Sequence, residues 1–252
     1  MFVSGHPGRT NRMNTMAQLA VIRDVSYPYY LEQFERERQA LLAYGKQSKE
    51  AKRQIQEEIF GLENALKAYR GEHAGLKDAA LMKSKSDAEA ELKKAIEADP
   101  KLKAAYGTVF DDIAKVQARW AQLFKRWAIL ERASHSSILG AARVLVRLPA
   151  EKQLPNEKRL REFRESNMES LELQLFSPAP IYGEVEVANV RTWLERLVRD
   201  LGAADPLVKD TLGGRTPEVA ARDIVSGSRL TDVYARRKLH AGGADAIAQS
   251  TD

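Results

Sequence analysis

Cysteine is absent from the 252-residue sequence, which excludes disulfide bonds, thiol catalysis and metal sites built from thiolates. There is also no run of about 18 apolar residues, the length that a membrane-spanning helix needs. The opening residues, MFVSGHPGRTNRMNT, lack the apolar stretch of a signal peptide. They are typical of the interior of a longer protein, and we therefore expect Met1 to be internal or added.

The residues that a catalytic centre needs are scarce and scattered. The sequence has no G-x-S-x-G motif, no phosphate-binding glycine loop and only four histidines, with no i,i+4 pair to hold zinc. Ser134 and Ser136 flank His135, but neighbouring residues on a helix point about 100° apart, which leaves His135 poorly placed to activate either hydroxyl. We interpret SHSS as a polar stretch within a helix, and we expect no catalytic residue, cofactor or metal site.

Charge is nearly balanced, with 40 basic and 35 acidic residues and a net charge of +5. The two signs alternate, as in KEAKRQIQEE (49–58), a pattern typical of a solvated helix surface with i,i+4 ion pairs. A nucleic-acid-binding protein usually concentrates its basic residues on one face. We therefore expect no nucleic-acid partner and no membrane partner, and we assign the small basic cluster at 156–164 to a solvated helix face.

Helical periodicity dominates the chain after residue 15 and predicts a mainly all-α fold. One apolar stripe, at spacings of three and four, predicts a helix over about 46–70 that packs against a partner helix. A second stripe predicts another long buried helix and continues, after a drift of one residue, into the next helical segment. The first stripe is Ile55, Ile59, Leu62, Leu66 and Tyr69; the second is Ile113, Val116, Trp120, Leu123, Trp127 and Leu130, continued by Ile138, Ala141, Leu145 and Leu148.

Short signals mark the ends of these helices. Asp99-Pro100, Asp205-Pro206 and Thr216-Pro217 each place a capping side chain before a proline at the first helical position. Gly45, Gly71 and Gly75 predict breaks or bends and are candidate hinges, and the polar segment 71–98 predicts an exposed helical arm. We expect a strand end and loop in 1–14 and a helical domain in 15–252, with long antiparallel helices over 27–148 and a bundle of shorter ones over 155–249.

Four stretches resemble one enzyme family, the S46 serine dipeptidyl-peptidases. They are GHPGRT (5–10), SYPYYLEQFERERQALLAYG (26–45), GLENALKAYRGEHAGL (61–76) and GADAIAQSTD (243–252). The resemblance implies a bacterial, periplasmic or secreted enzyme that removes dipeptides from free N-termini of oligopeptides. In that family an α-helical insert interrupts a chymotrypsin-like β-barrel and caps its active site.

The resemblance also accounts for the missing chemistry. The family's catalytic His and Asp precede this stretch and its nucleophilic Ser, in a Gly-Asn-Ser-Gly motif, follows it, so that this chain alone should be inactive. Its partners would be the oligopeptide substrate and the catalytic β-barrel of the same protein. Whether the parent protein forms a homodimer stays open.

Asn64 is the one site residue that the resemblance supplies, because it begins the family's Asn-x-x-Lys-x-x-x-Gly pattern. In the family this Asn helps to hold the substrate's α-amino group. Asn64 lies roughly 180–200° around the helix from the apolar stripe, on a face with Phe60, Gly61, Ala68 and Gly71.

Other interpretations stay open. Asn64 can be an ordinary solvated side chain. The chain can also be a stand-alone helical adaptor that binds protein partners through its coiled-coil-like arms, whereas a nucleic-acid-binding helical protein fits the mixed charge poorly.

Overall fold

The computed structural model describes residues 13–131 and 135–250, and every regular element within those ranges is helical. This confirms the prediction of a mainly all-α fold. The strand and loop predicted at the N-terminus, including GHPGRT, lie outside the described residues, as does Ser134. The first seven helices are α1 (Met16–Val21), α2 (Tyr27–Gly45), α3 (Lys49–Gln54), α4 (Gln56–Lys77), α5 (Ala79–Ala98), α6 (Pro100–Tyr106) and α7 (Val109–Glu131).

The remaining helices follow after residue 135. Two short 3-10 turns, at Asn156–Lys158 and Arg161–Phe163, separate the first two of them. The helices are α8 (Ser137–Lys152), α9 (Glu165–Leu175), α10 (Gly183–Leu201), α11 (Pro206–Leu212), α12 (Pro217–Gly227) and α13 (Val233–Ala248).

A single π-helical turn, Ile22–Ser26, joins α1 to α2. Pro28 follows it, and proline has no N–H to donate while its ring crowds the carbonyl four residues earlier, here that of Asp24. The helix forms a wider turn at this point, in which the N–H of Tyr27 donates to the carbonyl of Ile22, five residues earlier. The irregular turn is therefore a consequence of the proline.

The three predicted proline caps are confirmed. A carboxylate oxygen of Asp99 accepts from the N–H of Lys101 at 2.7 Å, and Asp205 accepts from Leu207 at 2.9 Å. The hydroxyl of Thr216 accepts from the N–H of Val219 at 3.3 Å. Local capping chemistry alone thus sets the starts of α6, α11 and α12.

The predicted glycine breaks are only partly right. Gly45 ends α2, whereas Gly71 and Gly75 lie inside an uninterrupted α4. The break comes instead at Asp78, whose carboxylate accepts from the N–H of Leu81 at 2.7 Å and so starts α5. The predicted arm, 71–98, therefore contains the end of α4 and the whole of α5. The N-cap at Asp78 ends α4, whereas the two glycines do not, because glycine within a helix costs only about 1 kcal/mol.

The chain divides into two compact units. Among the described residues, the first unit contains 13–35 and 63–125, and the second contains 36–62, 126–131 and 135–250. Each unit has a core of its own.

Aromatic rings form the core of the first unit. Tyr30 stacks on Phe34 with ring centroids 5.9 Å apart, and the edge of Tyr69 meets Phe34 at 5.4 Å. Phe124, fully buried, packs edge-on against Tyr29 at 5.5 Å. Such tilted contacts suit the ring quadrupoles and fix how the helices that carry them pack.

The second apolar stripe is only partly right as a prediction of the buried face of α7, because Ile113, Trp120 and Trp127 are partly buried but the other three residues are exposed. Val116, Leu123 and Leu130 are 63%, 43% and 39% exposed. The fully buried residues of the helix are Phe124, Ala128 and Ile129, of which Phe124 and Ala128 each follow a stripe residue by one position. One residue corresponds to a rotation of about 100°, so the core face is offset from the a/d seam.

Helices α8, α10 and α12 build the core of the second unit. The four residues predicted on α8, from Ile138 to Leu148, are all buried, as are Ile55 and Leu62 of the first stripe, so these predictions are confirmed. The indole N–H of Trp193 donates to the carbonyl of Ile129 at 3.2 Å and ties α10 to the end of α7. The central cluster contains Val187, Val190, Leu194 and Leu197 of α10 with Ala220, Ala221 and Val225 of α12.

Candidate functional site

Asn64 lies in the middle of α4 with an exposed side chain. The reason is helical geometry: Leu62 and Leu66, two residues to either side, are almost completely buried and turn the opposite face of the helix inward. The structure therefore places Asn64 on the outward face, as expected from the sequence. Its role in binding an amine stays a prediction.

The surroundings of Asn64 are small and apolar. Phe60, one turn earlier, is 68% exposed. A side chain built at Gly61 or at Gly71 would meet no atom within 4 Å, so the helix surface is open on both sides of Asn64. A second surface can therefore approach this face closely. An exposed phenylalanine beside such a face is typical of a surface that another part of a protein covers.

The Asn64 amide offers one carbonyl oxygen as an acceptor and one NH₂ group as a donor. Within the described ranges, no hydrogen bond joins it to another residue. The amide oxygen is therefore available to an incoming N–H donor. One oxygen cannot satisfy the three N–H bonds of an ammonium group, and a complete amine site needs further acceptors.

The structure corrects the interpretation of SHSS as part of a helix. His135 lies in a bend, and Ser136 is the N-cap of α8, where its Oγ accepts from the N–H of Leu139 at 3.2 Å. Ser136 is only 3% exposed, so a peptide carbonyl cannot reach its hydroxyl. Its capping role, rather than catalysis, explains why a serine stands here.

Glu186 of α10 completes this cap from a distant part of the chain. Its carboxylate accepts from the Ser136 hydroxyl at 2.5 Å, from the N–H of Ser137 at 3.0 Å and from the N–H of Ile138 at 3.3 Å. A negative charge at a helix N-terminus interacts favourably with the helix dipole. The buried carboxylate is thereby satisfied and holds α8 in place.

Two further carboxylates lie near this cap. Glu37 is buried and lies 2.9 Å from Nδ1 of His135, and this contact raises the pKa of His135. Glu58 accepts a hydrogen bond from the Asn189 amide at 3.1 Å, but burial outweighs that bond and raises the pKa of Glu58. The sequence prediction missed this buried polar cluster.

One signal in the sequence does point to the cluster. In the stretch VEVANV (185–190), Glu186 and Asn189 lie between apolar residues, and all six residues are buried. Polar residues inside such an apolar stretch indicate buried hydrogen bonds, since unsatisfied polar groups are costly in a core. Their partners, 50 and 131 positions away along the chain, cannot be read from local sequence.

Two other kinds of site are absent from the described part of the chain. No group of three or more His, Asp or Glu side chains there is arranged to hold a metal ion. In the same residues, no helix has both the length and the apolar character to cross a membrane.

Comparison with known proteins identifies the family of this chain. The model of the family Peptidase S46 matches residues 1–252, and the chain belongs to that family. One relative is an Asp/Glu-specific dipeptidyl-peptidase from Shewanella putrefaciens (strain CN-32 / ATCC BAA-453), 24% identical over 168 residues. The match covers 67% of this chain and 22% of the relative. The family resemblance inferred from the sequence is thus confirmed, and the chain spans about a fifth of the relative's length.

Proposed function

We propose that this chain is the helical cap of a serine dipeptidyl-peptidase that removes dipeptides from the free N-termini of oligopeptides. Membership of the Peptidase S46 family and the relative's dipeptidyl-peptidase activity support the reaction. The helical character of the described residues supports the cap, because a domain of this class can cover a catalytic β-barrel supplied by the rest of the protein. The family resemblance implies a periplasmic or secreted location, which stays a prediction.

The observation that carries the proposal is the position of Asn64 on an open, partly apolar helix face. An exopeptidase must recognise a free ammonium group at a fixed distance from the scissile bond. The Asn64 oxygen would accept one N–H bond of that group, and acceptors outside this chain would take the others. The open surface at Gly61 and Gly71 leaves room for the covering domain.

The same arrangement explains selection against blocked peptides. Acetylation removes the charge of the ammonium group and two of its donors. Acceptors left unpaired in a partly dry cleft then cost on the order of 1–3 kcal/mol each. The cap also closes the cleft behind the amine and so limits the cleaved unit to two residues.

The catalytic residues would come from outside the 252 residues. Ser136 and His135 are engaged in capping and in the pair with Glu37, and neither is arranged as a nucleophile and base. We therefore assign to this chain the binding and gating of substrate and expect it to be inactive by itself.

The test is release of dipeptides by the whole protein from free and N-acetylated forms of the same peptide. Asn64→Ala should lower kcat/KM for the free peptide by about tenfold or more, because a hydrogen bond to a charged group contributes about 1.5–3 kcal/mol. Gln56→Ala is the matched control, since it removes an exposed amide from the first turn of the same helix and should leave kcat/KM unchanged.

Each outcome separates the parts of the proposal. Dipeptide release with a silent Asn64→Ala variant would keep the peptidase function and refute the role of Asn64. Equal cleavage of acetylated peptides would refute amine recognition altogether. If the whole protein releases no dipeptide, the alternative is a helical interaction module, for which the exposed row of Val116, Leu123 and Leu130 would be the binding surface.

A further inference from the structure

A pocket of about 470 Å³ lies between α8, α9 and the connection 176–182. All the residues that line it belong to the second unit. The volume falls in the range of small-molecule sites, about 300–1,000 Å³. Asn64 is not one of the lining residues, so the proposed function does not explain this pocket.

The base of the pocket is apolar. Ala141 of α8 and Leu175 of α9 belong to the core of the second unit, and both border the pocket. Val144 and Ile181 pack against that core and border the pocket as well. An apolar group of a ligand would leave water on reaching these side chains, which is favourable in proportion to the area covered.

Small residues on α8 leave space above this base. Ser137, Gly140 and Ala141 stand at i, i+3 and i+4, so they share one face of the helix. A Cβ built at Gly140 meets no atom within 4 Å. A larger side chain at this position would therefore fit without a clash and would occupy part of the pocket.

The connection 176–182 forms another wall of the pocket, and it is held in place. Arg236, which is 4% exposed, donates through all three of its nitrogens to backbone carbonyls, among them that of Ser177 in the connection. Pro178 and Pro180 each fix φ in the same segment. A wall that is already ordered lowers the entropic cost of binding a ligand.

The charged side chains of the lining already have partners. Arg143 and Glu162 form an ion pair at 2.8 Å. Arg236 gives its donors to carbonyl oxygens, and the Asp232 carboxylate interacts electrostatically with its charge. A charged group that entered the pocket would lose its hydration without gaining an unpaired charge of opposite sign.

Two uncharged polar groups at the mouth of the pocket are still available. Ser137 and Gln174 are exposed, and no described residue makes a hydrogen bond with the hydroxyl of the one or the amide of the other. Each of these groups can both donate and accept. They suit a ligand that carries an amide of its own, since an amide also has a donor and an acceptor.

We propose that this pocket binds a small uncharged molecule that combines an apolar group with an amide. The apolar group would contact Ala141, Val144 and Leu175, and the amide would bond to Ser137 and Gln174. A single amino-acid residue with both ends blocked and a branched side chain has this chemistry. The proposal does not depend on the peptidase function, because a blocked residue lacks the free amine assigned to Asn64.

Saturation-transfer NMR of the whole protein tests this with N-acetyl-leucinamide as the probe. The wild type should bind it with a dissociation constant on the order of 1 mM, since a ligand with so few atoms binds weakly. N-acetylglycinamide lacks the apolar group and should bind about tenfold more weakly. N-acetyl-leucine should also bind more weakly than the amide, because its carboxylate would lose hydration without an unpaired cation to meet it.

Three variants place the probe in the pocket. Gly140→Leu should abolish binding, because the new side chain would occupy the pocket, whereas leucine favours the helix over glycine and keeps the fold. Gln174→Ala should weaken binding about fivefold, as expected for one lost hydrogen bond between neutral groups. Ala150→Leu is the matched control, since it adds similar bulk at an exposed position of α8 outside the pocket, and its affinity should equal that of the wild type.

The outcomes separate the pocket from the proposed amine site. Binding that Gly140→Leu abolishes and Asn64→Ala leaves unchanged would support the pocket. No binding of N-acetyl-leucinamide, or equal affinities in the wild type and Gly140→Leu, would overturn the proposal. Tighter binding of N-acetyl-leucine than of its amide would overturn the assignment of an uncharged ligand.

Discussion

The carboxylate of Glu186 and the hydroxyl of Ser136 are joined by a buried hydrogen bond of 2.5 Å, and the same carboxylate accepts two backbone N–H groups at the start of α8. A residue of α10 thus adds to the cap that Ser136, the residue before the first turn, already provides for α8. Since α8 carries four buried residues of the second unit, the pair links a local cap to the position of a core helix.

This relationship predicts a local effect of Glu186→Gln. Glutamine keeps the size of the side chain, but its NH₂ group would face backbone donors, and a buried donor left without a partner costs about 1–3 kcal/mol. Amide hydrogen exchange at the first turn of α8 in the whole protein should accelerate accordingly. Glu184→Gln, exposed on the same helix, is the control and should leave exchange within about 0.5 kcal/mol of the wild type.

The pair of His135 and Glu37 predicts a pH dependence of stability. The hydrogen bond to Glu37 raises the pKa of His135 in the folded chain above its usual value of about 6.5. The stabilisation is therefore complete below pH 6.5 and is lost as the pH rises through the raised pKa. Urea unfolding of this chain between pH 6 and 9 should show this loss, and His135→Asn should abolish it.

His240 acts in the opposite direction and must be separated from His135. Burial lowers the pKa of His240, so its contribution is present above pH 6.5 and disappears as the pH falls through the lowered value. NMR titration of the two rings distinguishes them. A His135 ring that titrates at or below pH 6.5 would contradict the role assigned to Glu37.

Truncation of two adjacent residues of α7 should lower the free energy of unfolding by very different amounts. Phe124 is 2% exposed and packs against Tyr29, whereas Leu123 is 43% exposed. Phe124→Ala should lower the free energy of unfolding by about 3–5 kcal/mol, because it leaves a cavity in the aromatic core. Leu123→Ala should cost below about 1 kcal/mol in this chain. Similar losses in urea unfolding would show that the core face of α7 is misassigned.

We expect the side chain of Arg236 to hold in place the connection between α9 and α10, residues 176–182. Its buried guanidinium donates to the carbonyls of Leu175 at 2.7 Å, Leu230 at 2.6 Å and Ser177 at 2.8 Å. Arg236→Met removes these bonds and should make the connection a preferred site of limited proteolysis. Lys238→Met, exposed on the same helix, should leave the cleavage pattern unchanged. Wild-type resistance in Arg236→Met would contradict the anchoring role.

Features set by neighbouring residues could be predicted from the sequence. The caps at Asp99, Asp205 and Thr216 depend on one side chain and the next turn, and each was found where the proline pattern placed it. The outward direction of Asn64 followed from its angle to Leu62 and Leu66. Both results rest on helix geometry within a few residues.

Features set by distant residues could not be predicted. The face that α7 buries depends on which neighbour packs there, and the aromatic core around Phe124 overrides the regular seam of Val116 and Leu123. The bond from Asn189 to Glu58 spans 131 positions. Periodicity identifies a helix face but not its partner, so the buried polar cluster required the three-dimensional structure.

The indole of Trp193, bonded to the carbonyl of Ile129 inside the second unit, makes this chain suited to optical study. Trp120 lies in the first unit, and Trp127 and Trp193 lie in the second. A variant that keeps Trp120 alone and one that keeps Trp193 alone would let fluorescence follow the melting of each unit separately. Because the sequence has no native thiol, one introduced cysteine would add a uniquely placed dye to the same experiment.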